Sequence, residues 1–346
     1  MIEMKYADFA WEQTATLLAI DSPSGYTKAA AEWVKGAFEA LGFAATITTK
    51  GGVIIDLGGK DAQDGLLLEA HADTLGAMVS AVKGNGRLKM TSLGGMNPNN
   101  AEAENVRVYT RSGKVIEGTC QLANASVHVN GDYSSAKRDW NTIEIVLDED
   151  VNSAKETRDL GIEVGDIVCF ETRTRRTASG YLKSRFLDDK LSVGILLGFA
   201  KYLADNKIVP ERRVWAHVTV YEEVGHGGSA SVPAGVTEAI SVDMGCVGDG
   251  LQCTERQVSI CAKDSGGPYS YEVVGKLIEA AKKTEADYAV DIYPFYGSDV
   301  EATLRSGVDI RHGLIGAGVY ASHGYERSHI DGVMNTLKVL CGYLDV

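Results

Sequence analysis

The sequence predicts an α/β fold: a mixed-sheet α/β domain interrupted by a small all-β, barrel-like domain. Three observations carry this expectation. Leu66-Leu67-Leu68 is an uninterrupted apolar run, as in strands buried on both faces of an α/β sheet. From about residue 77 to about 175, short apolar runs are separated by turn residues and helical periodicity is largely absent. After Leu187 the alternation of helical and strand patterns resumes. The boundaries drawn from this texture are 1–76 with 176–346 for the α/β domain and 77–175 for the insertion.

Taken in order, Thr27–Leu41 has a helical period, with Ala30, Trp33, Val34, Ala37, Phe38 and Leu41 on one face and Gly42 as the stop. Strand-like runs follow at Ala44–Thr49 and Val53–Leu57, joined by a turn containing Gly51-Gly52. The run at Leu66–Leu68 ends just before His71 and Asp73, at the strand end where open α/β sheets place their sites. Inside the insertion the runs are Ala77–Val82, Arg87–Thr91, Val106–Thr110, Ile143–Leu147 and Asp166–Glu171. Beyond it, helices are expected at Leu191–Ala204, Tyr271–Lys282 and Ile330–Leu344. Strands are expected at Val214–Tyr221, Ala239–Val242 and Ile310–Leu314.

Composition narrows the class. The length suits roughly two domains. With 45% hydrophobic and 23% charged residues the chain can build a sizeable core. A formal net charge of −13 argues against nucleic acid and anionic membranes as partners. No apolar stretch approaches the ~20 residues of a membrane span, and the first residues lack the basic and apolar regions of a signal peptide. The six cysteines are scattered and form no CxxC pair. Reduced thiols, a cytoplasmic location and no cysteine-ligated zinc are therefore expected.

Acidic and histidine residues recur at the ends of apolar runs. Glu222-Glu223 follows Val214–Tyr221, and two adjacent buried carboxylates need a cation or a proton. His71-Ala-Asp73 has a spacing that puts both side chains on one face of an extended segment. Asp188-Asp189 precedes a helix and suits either a bridging carboxylate or an N-cap. Asp243 again follows a strand, and Tyr320–His329 offers His323, Glu326 and His329 in a glycine-containing loop. Within its strand, His217 reads as a packed core histidine. Imidazoles with carboxylates are ligands for hydrolytic zinc, cobalt or manganese. A shared carboxylate permits two metals roughly 3.5–4 Å apart. The chain thus reads as a metal-dependent hydrolase, with one glutamate of the pair a ligand and the other a base.

In their order, these motifs resemble the glutamyl aminopeptidase family, dinuclear metallo-aminopeptidases that include the tetrahedral (TET) peptidases. The likeness rests on His71-Ala-Asp-Thr-Leu-Gly76, Leu160-Gly-Ile-Glu-Val-Gly-Asp166, Leu187-Asp-Asp-Lys190, Glu222-Glu-Val-Gly225, Val242-Asp-Met244 and Gly297-Ser-Asp299. It implies two divalent metal ions per subunit, zinc foremost. His71 and Asp243 would complete one site and Glu223 and His323 the other, with Asp188 bridging. Glu222 would be the general base and Asp73 would orient His71. The resemblance also implies a metallopeptidase domain whose β insertion mediates dimerisation within a homo-oligomer, up to a dodecameric shell. The chain departs from the family pattern at Thr74, at Lys190 and in the spacing of Glu326 after His323. His323 is preferred to His329 as the C-terminal ligand.

The expected activity is removal of N-terminal residues from peptides. A related dinuclear amidohydrolase acting on a blocked dipeptide or N-acyl amino acid is the nearest alternative. A glycosidase needs carboxylates about 5–9.5 Å apart across a bond, whereas neighbours on an extended strand point to opposite sides. A non-catalytic assembly protein would leave the metal sites incomplete. Asp299 suits a basic substrate group or a helix cap equally.

Overall fold

A computed structural model describes residues 2–346. It divides into two compact units, Met1–Asp73 with Arg173–Val346, and Thr74–Thr172. In chain order the first unit begins with α1 (Met4–Leu18), α2 (Lys28–Ala40), β1 (Ala44–Ile47), β2 (Val53–Gly58) and β3 (Asp61–His71). The second unit holds β4 (Gly76–Val82), β5 (Leu88–Leu93), α3 (Pro98–Ala101), β6 (Asn105–Tyr109), β7 (Val115–Leu122), β8 (Ile143–Leu147), α4 (Ala154–Asp159) and β9 (Ile167–Phe170). The first unit resumes with β10 (Arg175–Arg176), β11 (Tyr181–Ser184), α5 (Leu187–Asn206), β12 (Arg212–Thr219), β13 (Val236–Val242), β14 (Gly245–Val247) and β15 (Val258–Lys263). It ends with α6 (Tyr271–Lys283), β16 (Tyr288–Ile292), α7 (Asp299–Arg305), β17 (Arg311–Tyr320), β18 (Glu326–His329) and α8 (Ile330–Leu344).

Twelve strands of the first unit form one mixed sheet, in the order β1-β2-β12-β3-β13-β17-β18-β11-β10, with β14 and β15 also on β17 and β16 on β15. β3 is central and parallel to both neighbours, β12 and β13. Its Leu66, Leu67 and Leu68 are completely buried, which is why they read as an unbroken apolar run. The carboxyl ends of β3, β12 and β13 lie at one edge of the sheet, and the candidate site is built there.

Helix α2 buries Ala30, Ala31, Val34 and Phe38. It ends where the sequence predicts: Gly42 has φ +92°, and Phe43 N–H donates back to Phe38 O at 3.2 Å, a left-handed termination that favours glycine. Helix α5 packs against α1, α8 and β3. Its contact with α1 depends on two glycines. A Cβ on Gly194 would lie 2.0 Å from Thr14 Oγ1, and one on Gly198 would lie 2.8 Å from Tyr6 O. Lys190 is buried and donates to Leu17 O and Ile20 O at 3.1 and 2.6 Å, satisfying carbonyls at the end of α1.

The second unit is a closed antiparallel barrel in the order β4-β5-β8-β7-β6-β9. Its strand β7 alternates buried and open residues, and the sequence pattern does not mark it. Its Glu117, Gly118 and Thr119 dilute the apolar run. A second difference lies at the end of β12, which stops at Thr219 rather than Tyr221. Tyr221 turns with φ +72°, and Glu222–Val224 form a short 3-10 turn. Glu222 and Glu223 therefore do not alternate as on an extended strand, and that ground for setting a glycosidase aside fails.

Candidate metal centre

β3 delivers His71, which is 1% exposed. Its Nδ1 meets the main-chain oxygen of Asp73 at 2.9 Å, so Nε2 is the ring atom turned to the carboxylates. The Asp73 carboxylate stands farther off, 3.6 Å from Nδ1. It instead accepts the Ser24 hydroxyl and, at 3.1 Å, the N–H of Glu222. Asp73 thus holds His71 through its carbonyl and the Glu222 turn through its side chain.

Asp188 and Asp189 open α5, both buried and both with non-helical backbone angles. The two oxygens of Asp188 face different histidines. Oδ1 lies 3.2 Å from His71 Nε2 and Oδ2 lies 3.4 Å from His323 Nε2. Asp189 receives the His71 N–H at 3.2 Å through Oδ2, while its buried Oδ1 has no partner among the described residues. Glu222 Oε2 stands 3.7 Å from His71 Nε2, and Glu223 Oε2 stands 3.8 Å from His323 Nε2. Glu223 Oε1 is the other buried carboxylate oxygen of the pocket without a partner. Asp243 leaves β13 and accepts the N–H of Met244 at 2.6 Å.

Two donor clusters result, His71 with Asp189 and Asp243, and His71 with Asp188 and Glu223. The sequence-predicted residues His71, Asp73, Asp188, Glu222, Glu223, Asp243 and His323 all come together here. His329 does not: it caps α8 by accepting Asp331 N–H and meets Ser179 O at 2.8 Å. His217 is a buried partner of Glu69 at 3.3 Å, as its place in the strand predicts. Asp299 is buried and accepts the Thr219 hydroxyl and, at 2.6 Å, Gly228 N–H.

Asp189 as a donor and Glu326 as a brace are roles the sequence does not assign. Glu326 Oε1 accepts His323 N–H at 2.9 Å and Oε2 accepts Asp188 N–H at 3.0 Å. One buried carboxylate thereby fixes the backbones of two facing residues. The available signal is its position three residues after His323.

The electrostatics call for cations. Burial pushes the Glu222, Glu223 and Asp189 carboxyls well above their ordinary range, reinforced by neighbouring carboxylates. Burial and the nearby Asp188 raise Asp243 to about 7. Burial also opposes ionisation of Asp188, but the facing His323 and His71 outweigh it and hold this carboxyl below its usual value. Burial disfavours the charged imidazole of His71, yet Asp188 and Asp73 raise it well above normal. Five carboxylates so placed, Asp188, Asp189, Glu222, Glu223 and Asp243, repel one another unless protons or cations intervene. The orphaned oxygens of Asp189 and Glu223, with imidazole and carboxylate donors around them, fit divalent ions of the zinc, cobalt or manganese type.

Comparison with known proteins gives the family and the fold. The chain is similar to the YhfE protein of Bacillus subtilis (strain 168), 42% identical over 328 residues and covering 95% of each chain. Its fold is similar to that of aminopeptidase APDkam598 from the archaeon Desulfurococcus kamchatkensis, with TM-score 0.88 and 20% identity, covering 98% and 95% of the two chains. It is also similar to the TET1 peptidase of Pyrococcus horikoshii, with TM-score 0.84 and 20% identity, covering 97% and 99%. The M42 glutamyl aminopeptidase family model matches residues 51–339, and the chain belongs to that family.

Proposed function

We infer that the chain is a metal-dependent aminopeptidase that hydrolyses the first peptide bond of peptides at this pocket. The observation that carries the two-metal form is the placement of Asp188, whose two oxygens face His71 and His323 separately. Asp188 would bridge, with His71 and Asp243 holding one ion and Glu223 and His323 the other. Asp189 stands close enough to His71 and Asp243 to share the first site. Zinc suits this donor set first, and cobalt or manganese accept the same ligands. Two bound divalent ions supply Lewis-acid polarisation of a carbonyl and a water made nucleophilic at neutral pH.

The chain's own residues supply the rest. Glu222, its N–H held by Asp73 and its carboxylate near His71 Nε2, takes the proton of the attacking water and passes it to the leaving amine. Its burial raises its proton affinity, which suits a group that must hold that proton transiently. The carboxylates gathered here make the pocket acidic, which favours a substrate with a free α-amine over a blocked one. A dinuclear amidohydrolase for blocked dipeptides remains the alternative with the same residues.

The TET1 peptidase of Pyrococcus horikoshii can assemble into a tetrahedron or a large octahedral shell. We extend a homo-oligomer to this chain, with residues 77–175 as the dimerising insertion. Six free cysteines fit the reducing cytoplasm, and no helix among the described residues is long and apolar enough to cross a membrane. Glu222→Gln is the test of the base. It should lower kcat by about 10²–10⁴ while metal content, read by atomic absorption, stays at the wild-type value. Near-normal turnover would remove Glu222 from this role.

A further inference from the structure

The loop that carries Glu222 and Glu223 leaves β12 at Thr219 and comes back to Gly228, and one carboxylate holds both of these feet. Asp299, 3% exposed at the start of α7, accepts the Thr219 hydroxyl through Oδ2 and the Gly228 N–H at 2.6 Å through Oδ1. An ionised carboxylate accepts on both oxygens, so a single side chain can serve two donors from opposite ends of a loop. Thr303, one helical turn further along α7, donates to Gly228 O at 2.9 Å. The returning chain lies directly on Asp299. A Cβ on Gly227 would stand 2.2 Å from Asp299 Oδ1, and one on Gly228 would stand 2.5 Å from Asp299 O. Helix α7 is in turn tied to the sheet, because Val300 N–H donates at 3.2 Å to Ser241 Oγ, two residues before Asp243.

Between its feet the loop is stitched to itself. Gly225 N–H donates to Glu222 O at 2.7 Å and His226 N–H donates to Tyr221 O at 3.1 Å. The rings of Tyr221 and His226 stack 5.1 Å apart at 18°. From the β1–β2 hairpin, the Lys50 ammonium donates to His226 O, to Gly227 O at 2.9 Å and to Ser229 Oγ at 3.0 Å. A loop bonded internally in this way moves as a unit, so a shift of its feet carries Glu222 with it.

We propose that Asp299 is a positioning residue for Glu222, closing the loop over 219–228 and so setting where that carboxylate stands in the pocket. This rests on the reading of Glu222 as the base. Asp299 acts through the backbone of the loop and has no part in holding metal or substrate. Misplacing a catalytic group by about 1 Å costs about 10²-fold in rate. The loss belongs to turnover rather than to substrate binding.

The test measures kcat and KM on free-amine aminoacyl p-nitroanilides for the wild-type protein, Asp299→Ala, Asp299→Asn, Glu222→Gln and the Asp299→Ala/Glu222→Gln double variant. Hydrogen exchange of the amides of residues 220–227 is followed in each, together with metal content. Asp299→Ala should lower kcat about 10²-fold with KM little changed, and the loop amides should exchange faster at wild-type metal content. Asp299→Asn should recover most of the rate, because its amide oxygen still accepts Gly228 N–H and the Thr219 hydroxyl can accept from its nitrogen. In the Glu222→Gln background, Asp299→Ala should change the residual kcat by less than about twofold, since residues that act as a unit are not additive. If Asp299→Ala does not fold, Thr219→Val removes one foot at nearly constant shape, and it should show the same pattern with about a tenfold loss. An undiminished kcat, or an equal loss with and without Glu222, would overturn the inference alone. Silence of the wild-type protein on every free-amine substrate would overturn the aminopeptidase reading, and this inference with it.

Discussion

Single side chains in this pocket act on one another's geometry more than on solvent. Glu326 accepts the N–H groups of both Asp188 and His323, and His323 sits at φ +62°, a backbone region a histidine rarely adopts unaided. Burial and the neighbouring Asp188 raise Glu326 to about 8, so the two donated hydrogen bonds matter to its placement. Glu326→Ala should weaken metal binding about 10–100-fold, measured by titration with a metal indicator, with the fold intact by circular dichroism. Two histidines close by separate binding from capping. His323→Ala should remove about one metal ion per subunit, because His323 faces Asp188 and Glu223. His329→Ala should leave metal content unchanged and cost about 1 kcal/mol of stability, because His329 caps α8. Metal loss in the His329 variant instead would exchange their roles.

At the scale of elements, the close approach of α1 and α5 holds the start of α5, and with it Asp188, against the sheet. Gly194→Ala would put a methyl group 2.0 Å from Thr14 Oγ1. Destabilisation by about 1–3 kcal/mol is expected, read as a lower midpoint in denaturant unfolding. No change would mean that the helices can separate without cost.

Much of this level is legible in the chain. The run Leu66–Leu68 announces a central strand because it is buried on both faces, and Gly42 announces a helix stop because its backbone is left-handed. The site residues are legible because they cluster at strand ends, where the carboxyl edge of a parallel sheet gathers them. Strand β7 is harder to see, since its polar positions interrupt the apolar signal. The short strands β10, β11, β14 and β18 are held by tertiary pairing rather than by their own pattern. The turn at Tyr221 is also hidden. Nothing in Val214–Tyr221 marks the left-handed residue that brings Glu222 and Glu223 into one pocket.

Across the whole molecule, one unit supplies every residue of the metal centre, and the barrel of the other supplies none. The concentration of carboxylate in the first unit accounts for some of the net charge of −13. It also makes the chemistry conditional on metal, because five buried acids without cations must take up protons and lose a competent base. The most direct test uses metal-stripped protein reconstituted separately with zinc, cobalt and manganese. Its substrates are a panel of aminoacyl p-nitroanilides, each beside its N-acetylated form. The account predicts metal-dependent cleavage of the free-amine substrates alone. Cleavage of the blocked substrates, or turnover that persists after the metal is removed, would contradict it.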